Sequence, residues 1–168
     1  MFPGARVIGK SVRHPIEVAE DDRTAQNLWE SMERDGSLAF LLSLPTLATP
    51  PGDTVGWQGD WQPGEDAYTY LVGVLVQPGS PVPEGFELRD IAAGELAIGW
   101  IQETAGEEGG DMVANASAHV NAAREALGYE FDSSRMAEME YYSKERFRDA
   151  LARGEPPILD MLSPCKKA

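Results

Sequence analysis

Glu138, Glu140 and Tyr142 stand two residues apart in the stretch RMAEMEYYSK, Arg135 to Lys144. In an extended strand this spacing turns all three side chains to one face. Such a face is either washed by solvent or forms the floor of a pocket that holds a negative charge beside a phenol. A buried carboxylate costs free energy unless it is partnered, and it attracts a cation more strongly than a screened surface carboxylate does. Trp57, Trp61, Tyr68, Tyr70, Trp100 and Tyr141 also fall on predicted strands or their edges. Each alone is ordinary core material. Grouped near a carboxylate they suit another task, because an aromatic face attracts a cation by about 0.5–2 kcal/mol. A pocket of this kind favours flat, lipophilic, positively charged molecules.

Other chemistries are poorly supplied. The chain of 168 residues contains one cysteine, Cys165, and two histidines, His14 and His119. One cysteine makes neither an internal disulfide nor a thiolate metal site, and no metal ligand set or cofactor motif is expected. Cys165 lies in SPCKKA at the end of the chain, where an exposed bystander is expected. No HExxH, CxxC, GxSxG or P-loop pattern occurs. His119 falls on or beside the apolar stripe Met112, Ala116, Val120, Ala123 and Leu127, so it is either a hydrogen-bonded core histidine or part of a pocket wall. The net charge of −14 repels nucleic-acid phosphate, so direct DNA contact is not expected. No run approaches the ~20 apolar residues of a membrane span. The start MFPGARVIGK lacks the features of a signal peptide, which makes a cytoplasmic location the default.

The elements that would position these residues can be read in order. ARVIGKSVRH alternates as a strand. EDDRTAQNLWESMERDG is a helix, capped by Asp22 or Thr24 and ended by Gly36, with Ala25, Leu28, Trp29 and Met32 on its apolar face. A Pro-rich connection, Ser43 to Asp53, is a candidate lid. TVGWQGDWQP and AYTYLVGVLVQP are strands, the first carrying Val55, Trp57, Gly59 and Trp61 on one face. After QPGSPVPEGF, FELRDIAAGELAIGWIQET is strand material interrupted or bulged near Ala92–Gly94. DMVANASAHVNAAREALG is a helix opened by Asp111 and closed by Gly128. RMAEMEYYSK and PPILDMLS are strands, and ERFRDALARGE between them is a helical turn or a loop. Each half therefore reads strand, helix, strand, strand, with half-units of about 1–80 and 81–168 in one domain over 1–168. The expected fold is α+β, an antiparallel sheet with helices on one face.

Three segments in this order resemble the GyrI-like small-molecule-binding domain, the effector-binding module also found in multidrug-sensing regulators of the MerR and AraC types. Tyr70 and Gly73-Val74 match its tyrosine-rich strand. Pro83, Gly85, Phe86, Ile91, Ala93, Gly94 and Ala97 match its "vPeGfe…ipaGeyA" segment, and Glu140 and Tyr142 match its "fE.Y" strand. The resemblance is clear from about Thr54 to Leu162. Leu96 replaces a common tyrosine, and no helix-turn-helix is present. The resemblance implies an SHS2-type pair of pseudo-symmetric units with an aromatic cleft between them and a glutamate, here Glu140, at its base. With it come Tyr142, Trp57, Tyr70, Trp100 and His119 as candidate ligand contacts, a small-molecule partner of lipophilic, cationic character, and a sensor or sequestering role. The family also implies two alternatives: hydrolysis of reactive cyclopropane compounds, with Glu140 as the catalytic residue, and interaction with gyrase or a separate regulator. Glu138 is expected to be a bystander near the exposed end of its strand.

Overall fold

The computed structural model describes residues 1–19, 22–48, 51–102, 109–135 and 137–168, with side chains of the third helix described at 113 and from 115 onward. These residues form one antiparallel sheet of β1 (Ala5–Pro15), β2 (Thr54–Gly59), β3 (Ala67–Val76), β4 (Glu87–Ile91), β5 (Glu95–Gln102), β6 (Tyr129–Phe131), β7 (Glu138–Tyr142) and β8 (Ile158–Lys167). Helices α1 (Thr24–Arg34), α2 (Ser37–Leu42) and α3 (Gly109–Ala126) precede β2 and β6, and α4 links β7 to β8. The last is wound as a π-helix over Lys144–Asp149 and as an α-turn over Ala150–Ala152. No helix among the described residues is long and apolar enough to cross a membrane.

In space the strands run β4-β1-β3-β2-β7-β8-β5, with β6 also on β8. Apart from β4, the order is a palindrome. β1-β3-β2 mirrors β5-β8-β7, each set following the chain order strand, helix, strand, strand, and the sets meet where β2 pairs with β7. The α+β architecture read from the sequence is the one found.

The same order bends the sheet. β4 and β5 lie at its opposite edges, yet only Ala92, Ala93 and Gly94 separate them in sequence. The sheet must curl until those edges approach, and Phe2 pairs with Gly94 at that point through bonds of 2.7 and 2.9 Å. The expected interruption of FELRDIAAGELAIGWIQET is thus a full break between two edge strands. The bend is permitted by Gly9 and Gly73, which face each other across β1 and β3. A Cβ on Gly73 would stand 2.2 Å from the Ile8 carbonyl oxygen, and one on Gly9 2.0 Å from that of Val72. Only a residue without a side chain lets the strands approach in this way.

The curl gives the sheet two distinct faces. On the inner face, Val7, Val55, Trp57, Leu71, Met139 and Leu162 form one core, joined by Leu47 and Leu96. On the outer face the helices pack. Met32, Leu38 and Leu41 of α1 and α2 lie on Ile8, Tyr70, Val72 and Val74, and Ala116 and Val120 of α3 lie on Leu159 and Met161. α1 starts where Asp22 Oδ1 accepts the Thr24 N–H at 2.9 Å. It ends before Gly36, which adopts φ 80°, and its predicted apolar face faces the sheet.

Some local expectations need correction. The helix α2 and the strand β6 are too short to leave a periodic pattern. The stripe expected on α3 turns away at its end. Ala123 and Leu127 are exposed, and Arg124 takes the buried place that they were expected to hold. Cys165 is buried, not exposed, because β8 continues through it and pairs it with Glu95.

Candidate functional site

Glu140 lies on β7 at the seam between the two mirrored strand sets, directly opposite Gly56 of β2. Alternation along β7 sends Met139 into the inner core and Glu140 to the outer face beneath the helices. Its side chain is 4% exposed. Gln58 Nε2 donates to Oε1 at 2.6 Å, and the hydroxyls of Tyr70 and Tyr142 each donate to Oε2 at 2.6 Å. All three donors are neutral. Among the described residues no lysine, arginine or histidine nitrogen lies within 4.0 Å of this carboxylate.

The roof comes from α1. The indole N–H of Trp29 donates to the Tyr70 hydroxyl at 3.1 Å, and its ring stands edge-on to Tyr142 with centroids 5.2 Å apart. Phe147 of α4 meets the other side of Tyr142 at 4.7 Å, also edge-on. From Tyr70 the aromatic row continues through His14, 5.9 Å away, to Tyr68 and then Trp61. Trp29, Gln58 and Tyr142 keep part of their surface in solvent while Glu140 does not.

The electrostatics follow from burial. Loss of water raises the pKa of Glu140 above its ordinary value, and the bonds from Tyr142, Tyr70 and Gln58, with a Coulombic contribution from His14, only partly oppose this. Burial and the nearby carboxylate push Tyr70 and Tyr142 well above the ordinary phenol value and Tyr68 to about 12. The phenols therefore stay protonated as donors. The arrangement is a desolvated carboxyl group hydrogen-bonded by neutral donors, with His14 the one basic side chain acting on it through space, in an aromatic surround that a cation would complete.

Gly56 makes this packing possible. A Cβ there would stand 2.3 Å from the Tyr70 hydroxyl and 2.8 Å from Glu140 Oε2. The missing side chain on β2 is the space in which the tyrosine meets the carboxylate.

Of the six residues singled out from the sequence, the structure brings Glu140, Tyr142 and Tyr70 together. It places the other three elsewhere. Trp57 is one residue out of phase with Gly56, so alternation turns it into the inner core, where the guanidinium of Arg89 lies 5.5 Å from its ring centroid. Trp100 is 60% exposed on β5, at the sheet edge. His119 is exposed on α3 rather than beside the buried stripe, which runs through Ala116 and Val120. The described part of the Pro-rich connection is not over Glu140. Thr46 bridges to Val76, and Leu47 packs into the inner core. Glu138 is partly buried and accepts a bond from the Ser163 hydroxyl at 2.9 Å, so it is less of a bystander than expected. Trp29, Gly56, Gln58 and His14 join the site without having been singled out for it. For Gln58 and Gly56 the signal was available, since both lie on the strand that pairs with RMAEMEYYSK, but it required the pairing register.

No family model and no curated protein sequence matches the chain. The fold matches that of SAV2435 bound to tetraphenylphosphonium, with a TM-score of 0.64 and 14% identity over 98% of this chain and 90% of that one. It also matches the C-terminal domain of EcmrR, with a TM-score of 0.60 and 14% identity over 99% and 94% of the two chains. In the EcmrR–DNA complex, at the same TM-score and identity, the match covers 99% of this chain and 56% of that one. The fold is thus the one implied by the sequence resemblance to GyrI-like domains.

Proposed function

We propose that this chain binds lipophilic organic cations at Glu140, as a sensor or sequestering module. The observation that carries the reading is a buried carboxylate bonded only to neutral donors. Among the described residues no ion pair offsets its loss of water. A cation in contact with it supplies the partner charge, and Tyr142, Trp29 and Phe147 supply aromatic surface around it. The match in fold to a protein whose structure was solved with tetraphenylphosphonium supports the choice of ligand class. Because Trp29 closes the carboxylate from the α1 side, a bulky ligand that touches Glu140 displaces its indole from Tyr70.

Calorimetric titration with methyltriphenylphosphonium and with neutral triphenylphosphine oxide, which is of similar shape, tests the reading. The cation is expected to bind in the micromolar range and the neutral compound at least about tenfold more weakly. Equal affinities would remove the role of charge. The pH dependence has a definite sign. Pairing requires ionised Glu140, whose pKa is raised by burial, so cation affinity should rise with pH. Below that raised value it should fall by about tenfold for each pH unit. An affinity that does not change with pH would remove the requirement for ionised Glu140.

A further inference from the structure

A second site lies away from Glu140, between the C-terminal half of α3 and the start of β5. It is a cleft of about 340 Å³ with walls that include Ala97, Ile98, Val120, Ala123 and Leu127. That volume is at the small end of ligand pockets. Of these side chains Leu127 is 75% exposed.

The polar wall of the cleft is Arg124, 8% exposed. Its Nη1 donates to the Ser163 hydroxyl at 2.7 Å, and Ser163 in turn donates to Glu138. Its Nε is buried with no hydrogen-bond partner, and among the described residues no carboxylate lies within 4.0 Å of the guanidinium. A buried guanidinium with an unmet donor is costly to leave unmatched. Glu95 also lines the cleft, but Arg135 donates to its carbonyl at 2.6 Å and to that of Ala92 at 3.1 Å. Arg124 and Arg135 both stand at this end of the molecule, with Glu95 in the cleft wall and Glu138 one hydroxyl away from Arg124. Met1, with its terminal amino group, Tyr129 and Cys165 complete the polar part of the lining.

We infer that this cleft binds an amphipathic monoanion, a medium-chain or aryl carboxylate, with its head group on Arg124 and its apolar tail between α3 and β5. The site shares no residue with the cation site and does not depend on that reading. With Nη1 on Ser163 and Nε out of reach of solvent, Nη2 is the charged donor that a carboxylate head group would meet. The tail would cover Ala97, Ala123 and the exposed Leu127.

Calorimetry with decanoate and with the neutral isostere decanamide provides the test. Decanoate is expected to bind wild type and Glu140→Gln equally, and decanamide at least about tenfold more weakly. Arg124→Met should weaken decanoate by at least the same factor. Ala123→Trp fills the cleft without touching the guanidinium and should abolish binding while the circular dichroism spectrum is retained. Amide resonances of Val120, Ala123 and Leu127 should shift on titration. Decanamide binding as tightly as decanoate, or decanoate binding unchanged in a folded Ala123→Trp protein, would overturn the inference. The second variant keeps the test decisive if Arg124→Met does not fold.

Discussion

Glu140→Gln is expected to weaken the binding of methyltriphenylphosphonium by about 30–100-fold, about 2–3 kcal/mol. The substitution keeps the shape of the side chain and removes its charge. Gln58, Tyr70 and Tyr142 can still bond to an amide, since hydroxyl groups rotate to donate or accept. What disappears is the Coulombic attraction in a site shielded from water, where it is screened least. Stability should move the other way. Burial raises the Glu140 pKa, so the folded chain holds this proton to higher pH than the unfolded chain does. The stability due to this group is full below the unfolded value of about 4.3 and is lost as pH rises through the raised folded value. Glutamine has no such loss. Urea titrations across a pH series should show wild type losing stability relative to Glu140→Gln as pH rises. Weaker binding with higher relative stability at the upper end of the series distinguishes loss of a ligand contact from damage to the fold. Unchanged phosphonium affinity in the variant would refute the charge pairing.

The extent to which this site could be read from the sequence depends on period and register. Glu140, Tyr142 and the strand that carries them follow from alternation together with the resemblance, and Tyr70 follows from the strand AYTYLVGVLV. The repeated order strand, helix, strand, strand is legible in the sequence, whereas the palindromic order of the sheet follows only from the strand pairings. Trp57 was misplaced because its face depends on which β2 residue stands opposite Glu140. One residue of register exchanges Trp57 for Gly56 and turns the aromatic ring into the inner core. Trp100 lies on a strand with apolar residues on both faces, so alternation cannot tell that β5 is an edge. Trp29 appeared as one member of an amphipathic stripe, which is also correct. The packing of α1 then brings that member, rather than Leu28 or Met32, to the Tyr70 hydroxyl. The exposed end of α3 could not be foreseen from periodicity, because a buried arginine reads as a polar break in the stripe.

Gly56→Ala, a change of one methyl group at the seam, should affect both folding and binding. The added Cβ would stand 2.3 Å from the Tyr70 hydroxyl, 2.9 Å from Tyr70 Cζ and 2.8 Å from Glu140 Oε2. None of these atoms has free space to enter. Tyr70 is 3% exposed and is held at its hydroxyl by Trp29 and Glu140, while Glu140 is held from three sides. The strands must separate or the tyrosine must leave the carboxylate, at a cost of about 2–4 kcal/mol. Urea unfolding should show this loss, and phosphonium affinity should fall at least about tenfold as Tyr70 and Trp29 are pushed out of place. The same substitution at Gly36, where a Cβ would meet nothing within 4 Å, incurs only the cost of its left-handed backbone, about 1 kcal/mol. Pairing Gly56→Ala with Tyr70→Phe identifies the cause. Phenylalanine removes the oxygen that the new methyl group would strike, so the double variant should be more stable than the sum of the single changes predicts, with a coupling of about 1 kcal/mol or more. Strict additivity would mean that Gly56 is needed for the backbone of β2 itself and not for the place where the phenol meets Glu140.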